Sequence, residues 1–561
     1  MSSPNPALVT DRAAQRMPRW ALLLFCAAYV LPGLFGRDPW KSADITAFGY
    51  MLEIAAGHTA WLQPELGGLT AEGALLPYWL GALSIKVLGG LIPTALAARL
   101  PFAILLGVAL ALTWYATYHL ARTEAAQPLP FAFGGEAQPM DYARAVADGA
   151  LLAQMATLGL LQLGHETTPE MVQLVGAALY LYALAACPFR PVKACLALLA
   201  SLTIMAASGA PAMAMGMGVL GTLICWRSHY PEVRRFAAWG LLALALAAAV
   251  ASGLNAWAWR LQAGEAPQPF AIVRMLAWFT WPAWPLTLWT LWRWRRHGLR
   301  RHISLPLSSA AIGLAASVLM GGSDRALMLA VPSLAVLAAF ALPTLGRGTS
   351  AAIDWFSVCF FSMGALVIWV VYVAMQTGYP TQPAANVARL APGLNHSFQW
   401  VPLVAALLGT VAWGWLVHWR AGRNRHPLWK SLVLPAGGVA LCWLLLMSLW
   451  LPLLDYARSL RPLVQRVAQH VPLESCVAVP DGSKALVAGL IYFGRYKVEA
   501  EADSFDTTCE FLIQSERPGA DVSATPVGWM FIATERRPTN RDDNFVIYRR
   551  EPKDSVPRMR R

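Results

Sequence analysis

The sequence predicts a polytopic α-helical membrane protein of about thirteen spans, followed by a small α/β domain outside the membrane. Three observations carry this. The 561 residues are 57% hydrophobic and only 13% charged, against roughly 25% charged in an ordinary soluble domain. Apolar runs recur from residue 18 to 452, each long enough for a ~30 Å hydrocarbon core. From residue 453 onward the chain turns polar, and its apolar residues come in short β-like and helix-like runs.

Taken in order, the first element is a basic leader, MSSPNPALVTDRAAQRMPRW, before an apolar run at 18–36. No small-residue cleavage site follows that run, so it reads as a retained signal anchor. Further spans are expected at 95–120, 144–163, 170–187, 192–208, 212–226, 236–257, 275–293, 303–320, 325–345, 353–375, 399–419 and 431–452. Trp20, Trp40, Trp226, Trp400, Trp429 and Trp450 flank apolar runs, as residues of the membrane interface do. One more apolar segment, 74–90, is either a fourteenth span or a surface helix.

Charge decides that point. With 74–90 left out of the membrane, one set of loops gathers twenty Lys and Arg, including RWRRHGLRR (293–301) and RAGRNRHPLWK (420–430). The opposite set holds eight: Arg37, Lys41, Lys86, Arg99, Arg260, Arg274, Arg325 and Arg389. Threading 74–90 through would move every later basic cluster to the wrong side, so it is expected to lie as a juxtamembrane or re-entrant helix. The net charge of +13 thus reports topology and gives no reason to invoke nucleic acid. An odd span count with a basic, inward N-terminus puts 453–561 on the outer side. The expected division is a membrane domain over 1–452, with a first outer loop at 37–94, and an outer α/β domain over 453–561. That domain reads as a helix (LLDYARSLRPLVQRVAQHV), a second helix (SKALVAGLIYFG) and strands in SCVAV, CEFLIQS, WMFIATE and NFVIYRR. A disulfide between Cys476 and Cys509 suits an outer location, whereas the other six cysteines lie in or beside apolar runs and read as packing residues.

Chemistry is expected on the outer face. Asp44 follows the first membrane exit and precedes an amphipathic stretch, so it is either a first-turn acid of that helix or a general base. In LGHETTPEM, Thr168, Pro169 and Glu170 make an ordinary helix start, which leaves the neighbouring His165–Glu166 pair unexplained. Two acidic sites on two outer loops suit a base and its support, and Arg37, Lys41, Arg274 and Arg325 would clamp a phosphate or meet lipid headgroups.

The order of DPWKSAD, EGALLPYW, ARLPFAILLGVALALTWY, HETTPEM and SDRALMLAVPSLAVLAAFALP over the whole chain resembles the GT-C superfamily of lipid-linked-sugar glycosyltransferases. Within it, the chain is most similar to family 39, the aminoarabinose-transferase-like enzymes related to protein O-mannosyltransferases. The resemblance implies a GT-C fold, with transfer of a sugar from a polyprenyl-phosphate donor to lipid A or lipopolysaccharide, another envelope glycan, or a protein. It further implies inversion at the anomeric carbon. Asp44 matches the first-loop acid, the implied base, and TPEM matches the second-loop motif, making Glu170, with Glu166 as its rival, the second acid. Substrate contacts would come from Arg37, Lys41, Glu72, Tyr78, His165, Arg274 and Arg325. Where relatives carry a second acid and an Arg-Tyr pair, this chain has Ile45, Ala47 and Phe48, and where they carry a phosphate-binding lysine it has Gly73. These departures separate it from aminoarabinose and lipid A specificity and pass phosphate binding to Arg325. No cofactor is expected to be required, although a divalent cation on Asp44 and the second-loop acids is compatible with the sequence. A monomer in the bacterial inner membrane is expected, its C-terminal domain periplasmic and its partners the lipid-linked donor, the envelope acceptor and membrane lipids. Two other classes compete: a lipid or glycolipid transporter, which would put ionisable residues at the bilayer midplane and repeat its halves, and an inactive assembly protein of the same fold.

Overall fold

Proline sets where the helices of the apolar half begin. The computed structural model describes residues 5–551 apart from 41, 72–73, 229, 259–268, 395–396, 422–426, 481, 502–505, 517–525, 538 and 540–543. Its elements open with α1 (Arg19–Val30), α2 (Ala43–Ala56), the hairpin β1 (Glu65–Leu66) and β2 (Leu69–Thr70), α3 (Leu75–Leu88) and α4 (Thr94–Ala121). There follow α5 (Pro139–Ala156), α6 (Leu158–Leu163), α7 (Pro169–Ala186), α8 (Pro191–Ala207), α9 (Pro211–Trp226) and α10 (Pro231–Gly253). Five of these last six start with proline in the first turn, where its fixed φ fits and its missing N–H costs nothing.

The chain continues through α11 (Pro269–Phe279), α12 (Ala283–Arg293), α13 (Arg301–Leu319), α14 (Asp324–Met328), α15 (Val331–Ala339), α16 (Arg347–Thr377), α17 (Thr381–Leu390), α18 (Trp400–Ala421) and α19 (Lys430–Leu449). Seven described helices, α4, α7, α10, α13, α16, α18 and α19, are long and apolar enough to cross a membrane. Each meets one expected span. The most apolar window of α19 is 72% buried and that of α18 only 11%, so α19 is central and α18 presents most of its surface outward.

Three expected spans are broken. The helix expected at 144–163 stops at Thr157, whose ψ of 112° ends α5 before α6 begins. The segment 275–293 divides into α11 and α12 around Pro282, and 325–345 divides into α14, α15 and a short 3-10 turn at Leu342–Thr344. The tryptophans also divide: Trp20, Trp226 and Trp400 are exposed as expected, but Trp40 and Trp429 are buried. The indole N–H of Trp429 donates to the Gln15 carbonyl at 2.8 Å, so there an apparent interface residue ties the N-terminal segment to α19. The 74–90 segment is the helix α3, packed on α2 and α4.

After α19 come α20 (Leu451–Arg458), α21 (Arg461–Val467), β3 (Cys476–Ala478), α22 (Lys484–Gly494), β4 (Lys497–Glu499), β5 (Phe511–Glu516), β6 (Trp529–Arg536) and β7 (Asn544–Arg550). The single helix expected over 453–471 is two, because Pro462 cannot continue a helix through the preceding turn and instead opens α21. The strands form one sheet in the order β4-β3-β5-β7-β6. Strand β3 runs parallel to β4 and β5, and β7 antiparallel to β5 and β6, so α22 serves as a β-α-β crossover. Cys476 on β3 and Cys509 before β5 are disulfide-bonded.

This sheet domain is built onto the segment between α1 and α3. Phe48 of α2 meets Tyr492 of α22 edge-on at 4.7 Å, and the Ala500 amide donates to the Gly67 carbonyl at 2.8 Å. Gly67, at φ +61°, sits where a Cβ would come 2.9 Å from Val487 and 3.0 Å from the Val498 carbonyl, so the hairpin turn needs glycine both for its backbone and for this approach. The Ala47–Phe48 pair, standing where relatives are expected to carry Arg-Tyr, lies in this apolar interface.

Candidate active site

The loops that lead into α2 and α7 meet over the first turns of these helices, and the charged residues of both are locked together there. The chain enters α2 through Ser42, whose φ of +64° is rare for a residue with a Cβ. This reversal turns Asp44 inward, and its side chain is 1% exposed. Thr167, from the second loop, donates to Asp44 Oδ1 through both its amide and its hydroxyl, each at 2.8 Å. The Trp40 amide donates to Oδ2 at 3.0 Å, and Arg37 Nη2 lies 3.5 Å from the same oxygen. Burial alone would raise the Asp44 pKa. The Arg37 and Arg99 guanidinium groups and the two backbone amides outweigh it and hold the carboxyl below its ordinary range.

The arginines are themselves buried. Arg37 Nη2 donates to the His165 carbonyl at 2.6 Å, and Arg99, from the second turn of α4, donates to the Arg37 carbonyl. His165 is a brace: Nδ1 faces the Leu161 carbonyl at 2.6 Å and Nε2 the Tyr29 carbonyl at 2.9 Å. Burial pushes its pKa down to about 4.

A second, more open half lies beside this one. Arg325 on α14 reaches Glu166 at 2.6 Å and Glu170 at 3.5 Å, and donates to the Thr168 hydroxyl at 3.2 Å. Glu166 is nearly buried, and its other oxygen accepts from Gln162 Nε2 at 3.0 Å. Burial, with the Asp44 charge nearby, raises its pKa against the pull of Arg325 and Gln162. Glu170, in the first turn of α7, keeps 24% of its side chain exposed. Tyr78 of α3 stacks on Tyr50 at 5.2 Å and lies within electrostatic reach of Glu170.

Of the residues expected from sequence, Asp44, Arg37, His165, Glu166, Glu170, Tyr78 and Arg325 come together. Arg274 is exposed on α11, and none of the described ion pairs includes it. Lys41 and Glu72 lie outside the described residues. Among the described residues, the one close grouping of metal-type ligands is Cys476, Glu499 and Cys509, whose thiols are already joined.

Several site residues were not expected. Trp40 Nε1 donates to Asp455 Oδ1 at 2.8 Å, and Arg461 grips Asp38 with two bonds of 2.8 and 2.6 Å. Arg458 donates to Gln162 at 2.5 Å. Asp455, Arg458 and Arg461 come from the segment after α19, and no local pattern in the sequence ties them to residues more than 290 positions earlier.

No family model matches the chain, and no curated protein does. Solved structures do. ArnT from Cupriavidus metallidurans bound to undecaprenyl phosphate superposes with a TM-score of 0.64 at 14% identity, over 95% of this chain and 98% of that one. The same protein in the apo state gives 0.59 at 14% identity, over 94% and 96%. The chain shares the fold of these ArnT structures almost end to end, a largely helical body with a small C-terminal sheet domain.

Proposed function

We propose that the protein is a membrane glycosyltransferase that moves a sugar from a polyprenyl-phosphate donor to an acceptor at the outer membrane surface. The carrying observation is the cluster of acids and arginines where two outer loops meet, in a fold shared end to end with a protein crystallised on undecaprenyl phosphate. A lipid-linked donor needs a cation at its phosphate and a carboxylate at the acceptor, both at headgroup depth, and this cluster offers both.

In the proposed step the acceptor oxygen attacks the anomeric carbon from the face opposite the phosphate. The bond from that carbon to the phosphate oxygen breaks, polyprenyl phosphate leaves with the electron pair, and the configuration inverts. The acceptor's proton passes to a carboxylate. Asp44 is the position implied by family resemblance, but here it accepts three hydrogen bonds, faces Arg37 and is sealed. Glu170 keeps part of its side chain exposed and has one loose partner, so accessibility favours it for the base role, with Arg325 beside it. Asp44 then acts as a positioning residue that joins the two loops. Arg325 supplies positive charge beside Glu166 and Glu170, the place a divalent cation would otherwise occupy, so the reaction is expected to run without a metal.

The acceptor class is an envelope lipid, glycan or protein on the outer side of the bacterial inner membrane. Comparing envelope fractions of a deletion strain and its complemented counterpart by mass spectrometry tests this. A sugar-sized mass added only in the complemented strain is expected, and its carrier identifies the acceptor. Identical envelopes under conditions of confirmed expression would reject the transferase reading.

A further inference from the structure

Two arginines of the cluster, Arg99 and Arg458, take part in none of the ion pairs among the described residues; Arg99 is buried and donates to the Arg37 carbonyl, whereas Arg458 is half-buried. Arg37 serves Asp44, Arg325 serves Glu166 and Glu170, and Arg461 serves Asp38. Arg458 is ion-paired with none of them among the described residues. Its Nη1 donates to a neutral amide, Gln162 Oε1 at 2.5 Å, and its guanidinium lies over the Trp40 ring at 5.0 Å. That ring carries a second guanidinium, Arg37 at 4.8 Å, while Asp455 fixes the indole N–H. Two like charges lie over one indole, and among the described residues only Arg37 is within ion-pair distance of a carboxylate, an arrangement that favours an anion on the open side.

The side chain is also held in place. The Trp40 ring lies on one side of the guanidinium and Gln162 takes one donor direction, leaving the others for a ligand. Gln162 donates in turn to Glu166 Oε1, so Arg458 stands one side chain away from the Glu166–Arg325–Glu170 group. It is the last residue of α20, which follows α19 after one residue, and so lies just beyond a helix able to span the membrane. Phosphate at headgroup depth is the anion that such a place meets, and guanidinium is well suited to it.

We propose that Arg458 is a ligand of the donor's phosphate, so that the segment after the last span completes the site rather than merely covering it. This rests on the polyprenyl-phosphate reading above. The test uses the full-length protein in lipid nanodiscs and compares binding of undecaprenyl phosphate, undecaprenol and phosphatidylglycerol. The wild type should prefer undecaprenyl phosphate over undecaprenol. Arg458→Gln should weaken undecaprenyl phosphate roughly ten- to hundredfold, the worth of a charge-assisted hydrogen bond, and leave undecaprenol unchanged. Arg458→Lys, which keeps the charge but not the fork, should lose about three- to tenfold and carries the test if Arg458→Gln does not fold. Wild-type affinity in both variants would overturn the assignment while leaving the transferase reading intact. An equal loss of phosphatidylglycerol binding would make Arg458 a general headgroup contact and also overturn it. A wild type that does not distinguish undecaprenyl phosphate from undecaprenol would remove the donor reading, and this proposal with it.

Discussion

Asp44 and Glu170 stand on facing loops, each beside an arginine, yet one is sealed and the other open. Asp44 accepts three hydrogen bonds, two of them from Thr167, and faces Arg37 with 1% of its side chain exposed. Glu170 has one partner at 3.5 Å and 24% exposure. The difference teaches how burial divides two acids: Asp44, held between two guanidinium groups, ties two loops together, whereas Glu170 keeps access to solvent, and the proposed mechanism builds on that contrast.

The sharpest way to break this comparison is to neutralise the sealed acid. Asp44→Asn leaves Arg37 and Arg99 buried without a counter-charge, a loss of about 3–5 kcal/mol. Glu170→Gln removes one loose, partly exposed pair and should cost at most about 1 kcal/mol. Thermal unfolding of the two variants in detergent should therefore put Asp44→Asn far below the wild type and Glu170→Gln close to it. Equal shifts would erase the distinction.

The seal also depends on the C-terminal sheet, which packs Tyr492 against Phe48 and holds the Gly67 turn. Cys476 and Cys509 close a loop with a sequence separation of 33, so Cys476→Ser should cost roughly 2–4 kcal/mol. Hydrogen exchange should rise first in β3–β5 and then at the 65–70 hairpin. Exchange confined to the sheet would mean that the domain does not support the site. Thr167→Val is the finer cut: it removes one hydroxyl bond to a buried carboxylate, worth about 1.5–3 kcal/mol, and leaves the amide bond in place.

The same cluster also carries a pH dependence. Burial, with Asp38 close by, pushes the Asp455 pKa up to about 7, against the Trp40 indole, the Asp38 amide and Arg37; Arg461 faces the same cluster from α21. The folded state therefore keeps a proton that the unfolded chain has lost above pH ~4. Stability from this group is present at low pH, falls as pH rises through that window, and is fully lost above about 7. Asp455→Asn still accepts from Trp40, so relative to this variant the wild type should lose stability between about pH 4 and 7. Parallel curves would contradict the shifted carboxyl.

Much of the site was legible because charge is rare in this sequence. An acid or an arginine beside an apolar run stands out, and Asp44, Glu166, Glu170 and Arg325 were found that way. Arg99 reads as one more loop charge, although α4 carries it into the cluster, and Trp40 reads as an interface residue although it is buried under two guanidinium groups. Asp455 and Arg458 reach the site across hundreds of residues, and only the folded chain shows that. The helical character and the C-terminal α/β segment followed from hydropathy, whereas the breaks at Thr157 and Ser459 and the three-residue β4 depend on local backbone choices that hydropathy averages away.

The most direct measurement is the envelope glycan profile, by mass spectrometry, of cells carrying Glu170→Gln at wild-type membrane levels. The account predicts a folded protein and no added sugar, since general-base catalysis is worth about 10²–10⁴ in rate. Wild-type levels of the sugar would contradict it and return the proton-accepting role to Asp44.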